Sequence, residues 1–280
     1  MKKIFLLTLT ILFTSVSFAQ KKDRIKGSKT VSATQRELET FENLEIEDNI
    51  EVFLIKGGSA HLEIEADDNL HDVIKTDVNG VTLRIYTDKN VTSFRKLSVR
   101  ITYTESLKNV TAKHESTLNA LSDLELENIT IKNLDYSKSF LNVKSKNFSL
   151  LMNDKTTAEL NLKAETSFIE LSKNAEIKAL IASPSVKFDM YQKTVAIIEG
   201  DAENAAIRLD NNAEFTGKKF TVKNLELTAE GYSKCNIMAT DTLGLTANGK
   251  AEAEIFGAAK IELKSFSDNA VLYKKEAIQK

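Results

Sequence analysis

Read for its hydrophobic and polar positions, the stretch 150–273 repeats one short unit: a small residue, any residue, then an apolar one. The unit appears as Ala158-Glu159-Leu160, Ala175-Glu176-Ile177, Thr194-Val195-Ala196, Ala213-Glu214-Phe215, Cys235-Asn236-Ile237, Ala253-Glu254-Ile255 and Ala270-Val271-Leu272. Successive starts lie 17, 19, 19, 22, 18 and 17 residues apart. Such a step predicts a stacked repeat, in which each coil buries its apolar edge only against its neighbours. A second alternating run precedes each unit, as in Ile169-Glu170-Leu171, Val186-Lys187-Phe188, Ile207-Arg208-Leu209 and Leu225-Glu226-Leu227. Apolar-polar-apolar alternation predicts short strands with one buried face. Between the runs lie turn formers: Asn174, Asp210-Asn211-Asn212, Glu230-Gly231, Asn248-Gly249 and Asp268-Asn269. Asn and Gly tolerate the left-handed backbone that tight corners need. Asn174, Asn212 and Asn269 each precede the small residue and are expected to stack at one corner.

A coil of this length is too short for a strand–helix unit of about 30 residues. It suits one turn of a β-helix whose strands pair in parallel at about 4.8 Å. The competing reading is an antiparallel sandwich, which also gives short strands with frequent turns. The regular step over seven rungs and the scarcity of hairpin dipeptides favour the helix. The expected fold is therefore all-β: a right-handed parallel β-helix with an N-terminal β-hairpin-rich portion.

The N-terminal portion reads differently. Ile50 to Ile55, Lys56-Gly57-Gly58-Ser59 and His61-Leu62-Glu63-Ile64-Glu65 read as a hairpin with its turn in place. Asn69 to Lys75 is expected to make one helical turn, and Val78-Asn79-Gly80-Val81 is a second strong turn signal. Lys2 and Lys3, the apolar stretch Ile4 to Val16 and the small-x-small Ser17-Phe18-Ala19 read as a secretory signal cleaved between Ala19 and Gln20. That apolar run is too short to span a bilayer. The expected division is a signal peptide over 1–19, a flexible basic leader over 20–33, an N-terminal β portion over 34–106, the coil ladder over 107–273 and a charged tail over 274–280.

Composition narrows the function. Removing 19 residues takes away Lys2 and Lys3 and no acid, leaving 36 basic against 40 acidic residues, a balance of −4. That balance, with no basic stripe interleaved with aromatics, argues against nucleic acid as a partner. A single cysteine, Cys235, rules out an intrachain disulfide and falls at an inward position. With 42% apolar residues, the core is large enough without one.

The order of features resembles a known family. Phe41-x-x-Leu44-x-Ile46 precedes Ile50-Glu51-Val52-Phe53-Leu54-Ile55-Lys56-Gly57. Then come Glu65-Ala66-Asp67-Asp68-Asn69-Leu70, Val78-Asn79-Gly80-Val81-Thr82-Leu83-Arg84-Ile85 and the long ladder. This is similar to the auto-transporter adhesin head domain, or GIN domain, of secreted Bacteroidetes proteins, over roughly residues 38 to 265. The resemblance implies a parallel β-helix with an adhesin-like role. It carries no catalytic or binding residues. Lys, Glu and Asn stand here where that family's rungs tend to have Ser and Gly.

The search for chemistry returns few candidates. His61, His71 and His114 match no compact ligand motif. Asp67-Asp68, Glu63 with Glu65, Asp201 with Glu203, and Asp210 are the candidate acid–base carboxylates of a polysaccharide-cleaving enzyme. Glu159, Glu176, Glu214 and Glu254 are expected to point outward in one acidic column, broken by Lys187, Arg208 and Lys234 or neutralised by calcium. Tyr136, Tyr191 and Tyr232 are the candidate sugar platforms, scattered along the chain. Asp241-Thr242-Leu243 fits an O-glycosylation acceptor pattern of Bacteroidetes at Thr242.

No catalytic, cofactor or metal residue is assigned. The expectation is a non-catalytic exported envelope or secreted protein, without a transmembrane segment in its mature chain. It would present a rigid face to a surface polysaccharide or to an envelope or host protein. Alternatives are a polysaccharide-active enzyme on the same scaffold, and a structural envelope component with no ligand.

Overall fold

A computed structural model of the chain describes residues 22–276; the expected signal peptide and the expected cleavage site at Ala19 and Gln20 lie outside them. Almost every strand belongs to one continuous sheet system wound as stacked parallel coils, a β-solenoid of about nine turns. The long strands Lys138–Asn153, Thr157–Ser172, Val195–Asp210, Glu214–Ala229 and Lys234–Ala247 each bend through two faces. Each half pairs in parallel with the matching half of the next coil. Between Thr157–Ser172 and Val195–Asp210 the coil splits into Glu176–Ala182 and Ser185–Tyr191. Pro184, the chain's sole proline, sits at that bend, where it has no N–H to give to a ladder.

Register fixes the repeat. Ser139, Ala158, Ile177, Ala196, Phe215, Cys235, Ala253 and Leu272 lie side by side, with steps of 19, 19, 19, 19, 20, 18 and 19. A second column runs two residues earlier through Ser137, Thr156, Ala175, Thr194, Ala213, Ser233 and Ala251, joined by backbone bonds such as Glu176 N to Thr156 O and Val195 N to Ala175 O. The unit seen in sequence mixes the two columns. Ala175, Thr194, Ala213 and Ala270 close turns, whereas Ala158, Cys235 and Ala253 begin strands. The uneven steps of 17 and 22 are the two-residue jumps between columns.

Each turn places its second residue in the left-handed region: Asp135, Asp154, Lys173, Gln192, Asn211, Gly231, Gly249 and Asp268 all have φ between 49° and 70°. Asn174 and Asn212 share that conformation, as their type predicts. At the last corner it falls on Asp268, one residue before the expected Asn269. At Gly249 (φ 69°) a Cβ would approach the Gly231 carbonyl oxygen to 2.8 Å, so turns stack backbone on backbone.

The interior is a single apolar core. Phe188 and Phe215 meet edge to face at 5.2 Å between centroids. The turn column is buried too, and its hydroxyls on Ser116, Ser137, Thr156, Thr194 and Ser233 find no hydrogen-bond partner among the described residues. Among the described residues no strand pairs with the far side of Lys260–Phe266, and Leu263 and Phe266, in register with buried Leu245 and Ala247, are 53% and 41% exposed.

The N-terminal portion joins the same stack. Leu44 pairs in parallel with both Leu83 and Val110, and Val52 with both Val99 and Leu118. The hairpin expected around Gly57-Gly58 does not form. The strand Leu97–Tyr103 lies between its two arms, parallel to Glu51–Lys56 and antiparallel to His61–Asp67. Buried Val52 continues the interior columns, with Val99 on one side and Leu118 on the other, so this arm pairs with its coil neighbours and not with the next strand in sequence. The turn expected at Asn79-Gly80 does form, and it joins Ile74–Asn79 and Thr82–Thr87 as a hairpin. The helical turn expected over Asn69 to Lys75 is shorter and earlier, a 3-10 segment Asp68–Leu70, and Ile74 and Lys75 already belong to the next strand.

The basic leader is not loose. Arg24–Lys26 pairs with Asn90–Thr92, and Val31–Glu37 pairs with His61–Asp67. Asp67 holds it down. Its carboxylate, fully buried, accepts the backbone N–H of Lys29 at 2.8 Å, of Arg95 at 3.0 Å and of Lys96 at 2.9 Å.

Candidate functional site

Stacking the turns draws one edge along the solenoid. The third turn residue is, coil by coil, Tyr136, Lys155, Asn174, Lys193, Asn212, Tyr232 and Lys250. Tyr136 and Tyr232 are 56% and 57% exposed. Lys155 Nζ stands 5.8 Å from the centre of the Tyr136 ring, and Lys250 Nζ 5.2 Å from that of Tyr232. With five coils between them at about 4.8 Å each, the two rings are roughly 24 Å apart along the axis. Tyr191 opens the turn midway, with Arg208 5.9 Å from its ring centre. Burial, reinforced by the Asp189 charge, raises the Tyr191 phenol above its ordinary value. Tyr136 and Tyr232, dispersed in sequence, thus share one edge because each is the third residue of its turn, whereas Tyr191 ends the strand Ser185–Tyr191 and lies beside Asp189 and Arg208 on the second face.

The N-terminal end of that edge opens into a cleft of about 840 Å³. Its lining combines Tyr136 and His114 from the coil turns with Phe94 and Lys89 from the N-terminal portion. His114 takes a left-handed turn conformation (φ 59°), and its Nδ1 accepts the backbone N–H of Asp48 at 3.4 Å. The Asp48 carboxylate accepts Lys22 Nζ at 2.7 Å and the Thr87 N–H at 2.8 Å, so the N-terminal strand closes one side of the cleft. By contrast, the side chains of Lys89, Asn90, Ser93 and Glu115 line it without a partner among the described residues. A second, shallower groove of about 540 Å³ runs over Phe140, Leu180 and Ile197 on the outer face of the coils.

The other candidates do not converge. His61 bonds Thr102 Oγ1 at 2.9 Å, and His71 lies between Ser32 and Thr34 at 3.0 and 3.1 Å. Among the described residues, no three of His, Cys, Asp and Glu are grouped to hold a metal ion. Asp67 is consumed by its backbone bonds, and Asp68 accepts the Ser28 hydroxyl. Glu63 pairs with Arg100 at 2.6 Å, Glu65 with Lys96 at 3.8 Å and Glu203 with Lys223 at 3.4 Å. Asp201 is exposed on the same strand as Glu203, and Asp210 opens a turn. Burial pushes the Cys235 thiol far up, which leaves it inert.

The acidic column is not formed. Glu159 has Phe140 and Lys178 as register neighbours, and Glu254 has Asn236 and Tyr273. Glu176 and Glu214 belong to the column two residues earlier, with Val195 between them and Lys234 next to Glu214. The offset between the two small-residue columns carries these glutamates apart, so no carboxylate row is available to calcium. Lys187 and Arg208 lie on the second face and pair with Asp189 and Glu230.

Thr242 sits in a ladder at the bend of the coils. There Asn147 Nδ2 donates to Asn128 Oδ1 at 2.7 Å, Thr166 Oγ1 to Asn147 Oδ1 at 2.7 Å and Thr242 Oγ1 to Asn224 Oδ1 at 2.9 Å. Thr242 is exposed, so its hydroxyl is reachable as well as bonded. Sequence reasoning missed Phe94, Lys89, Asn90 and Glu115, which no spacing joins; the coil geometry alone brings them together.

Fold and edge together define a parallel β-solenoid whose ring-bearing turns face solvent. No helix among the described residues is long and apolar enough to cross a membrane. The chain belongs to the family described as "Putative auto-transporter adhesin, head GIN domain", whose model matches residues 40–259. Two solved structures described as putative adhesins share the fold. The one from Parabacteroides merdae has a TM-score of 0.64 and 20% identity over 91% of this chain and 99% of its own. The one from Parabacteroides distasonis has a TM-score of 0.67 and 16% identity over 90% of this chain and 100% of its own. A third, from Parabacteroides distasonis and described as a putative lipid binding protein, has a TM-score of 0.65 and 14% identity over 90% of this chain and 100% of its own. No curated protein matches the chain.

Proposed function

We infer that the chain is an exported, non-catalytic binding module of the bacterial envelope or its surroundings. It presents the turn edge of its coil stack, from the cleft at His114 to Tyr232, to a surface polysaccharide or to an envelope or host protein. The observation that carries this reading is the alignment of Tyr136 and Tyr232 on one edge of the coil stack, both more than half exposed. Exposed aromatic rings on a stiff scaffold lose little entropy on binding and offer broad contact area. The family's adhesin description supports the same reading.

The test is a glycan array combined with an assay for new reducing ends, run on the mature chain. Binding without turnover is the expected outcome. Turnover abolished by replacing a single Asp or Glu would replace this reading with an enzyme, and silence in both assays would leave a structural role.

A further inference from the structure

We propose that the cleft beside His114 is a sugar-binding subsite that takes one neutral pyranose unit of a glycan. This deepens the binding-module reading and rests on it. The argument begins with what the cleft leaves unused. Lys22 and Asp48 satisfy each other at 2.7 Å, and Asp135 accepts the His114 N–H at 3.3 Å. Lys89, Asn90, Ser93 and Glu115 line the same space with no partner among the described residues.

These four side chains define a ligand. Lys89 only donates, Glu115 only accepts, and Asn90 and Ser93 do both. One positive and one negative charge cancel, so nothing favours an anion such as a phosphate or a carboxylate over a neutral molecule. A ring of hydroxyls, each able to donate and accept, satisfies such a mixed set. Phe94 and Tyr136 supply the apolar surface that a sugar's C–H face needs. The volume, about 840 Å³, accommodates more than one ring. Tyr136 is also the first ring of the turn edge, so a glycan held here by one unit continues towards Lys155 and Asn174.

The experiment is saturation-transfer NMR on the mature chain with the methyl glycosides of glucose, galactose, mannose and N-acetylglucosamine, with inorganic phosphate as the anionic comparison. Transfer to at least one glycoside is expected. Tyr136→Ala and Glu115→Gln should each weaken it by about tenfold, the loss of one good contact, while Lys163→Ala, exposed and outside both the cleft and the turn edge, should leave it unchanged. Both Tyr136 and Glu115 are exposed, and a thermal melt of each variant confirms the fold. No transfer to any glycoside, unchanged transfer in both cleft variants, or tighter binding of phosphate would overturn the subsite. Co-sedimentation with bacterial envelope fragments separates the two levels. Envelope binding that survives Tyr136→Ala, without glycoside transfer, removes the subsite and leaves the binding module standing. Absence of envelope binding, glycan-array binding and glycoside transfer removes both.

Discussion

Tyr136 and Tyr232 occupy the same place in two turns five coils apart, and each has a lysine of the following coil over its ring. Five steps of the coil stack separate the two exposed rings, about 24 Å along the axis. Exposed cation–π pairs contribute only about 0.5–1 kcal/mol. Tyr232→Ala should therefore cost stability by less than about 1 kcal/mol while weakening adhesion to an extended partner that spans both rings. Chemical denaturation alongside an adhesion assay checks this. A large loss of stability would show that the ring serves the fold instead.

Gly200 has a φ of 113°, and a Cβ there would come within 2.0 Å of the Ile181 carbonyl oxygen. Neither the conformation nor the space admits a side chain. Gly200→Ala should destabilise the protein by about 2–4 kcal/mol, read as a drop in denaturation midpoint. A midpoint within experimental error of the parent would refute the strain.

Thr194 is fully buried, and its hydroxyl has no partner among the described residues. An unpaired buried hydroxyl costs about 1–3 kcal/mol of desolvation with nothing gained. Thr194→Val, nearly the same shape, should leave stability unchanged or raise it by about 1 kcal/mol. Destabilisation by more than that would mean the hydroxyl is bonded, for instance to an enclosed water.

Burial alone would raise the Asp67 carboxyl, but the N–H groups of Lys96, Lys29 and Arg95 and the Lys29 charge hold it below its ordinary value of 3.8. A depressed folded-state value contributes stability that is present above the unfolded value and lost as pH falls through the folded one. The melting temperature should therefore fall as pH drops below about 4. Asp67→Asn should flatten that dependence and loosen the Val31–Glu37 strand. An identical acid profile in the variant would assign the loss to other carboxylates, such as Glu47, which Arg84 hydrogen-bonds and holds low.

Intact-mass measurement of material from the native organism tests the proposed export and modification: the expected chain begins at Gln20 and carries extra mass that Thr242→Ala removes. Losing the 2.9 Å bond to Asn224 should cost only about 0.5–1.5 kcal/mol, so the variant remains folded for the comparison. An unmodified mass would rule out the acceptor.

The period was legible because burial of one face forces alternation, and stacking forces the alternation to recur. Its phase was not. Small residues close turns and also begin strands, so Ala175 and Ala158 look alike in sequence and lie in different columns. That error placed the glutamates in a single row. The two arms around Gly57-Gly58 read as a hairpin because adjacency in sequence carries no sign of a third strand inserted between them. The leader read as flexible from its polar, basic composition; what orders it is Asp67, nearly forty residues from Lys29. Tyr136 and Tyr232 were visible, but their alignment required the turn position to be known.

The near-constant spacing of 19 residues between Ala158, Ile177, Ala196 and Phe215 has a consequence for how such a gene can change length. Losing or duplicating a whole coil returns the downstream chain to the same column, so variants shortened or extended by full turns remain viable. A one-residue deletion inside a strand inverts which side chains face inward until the next corner. Length variation among natural relatives should therefore come in steps of one coil, with the rings on the edge moving apart or together by one rise each time.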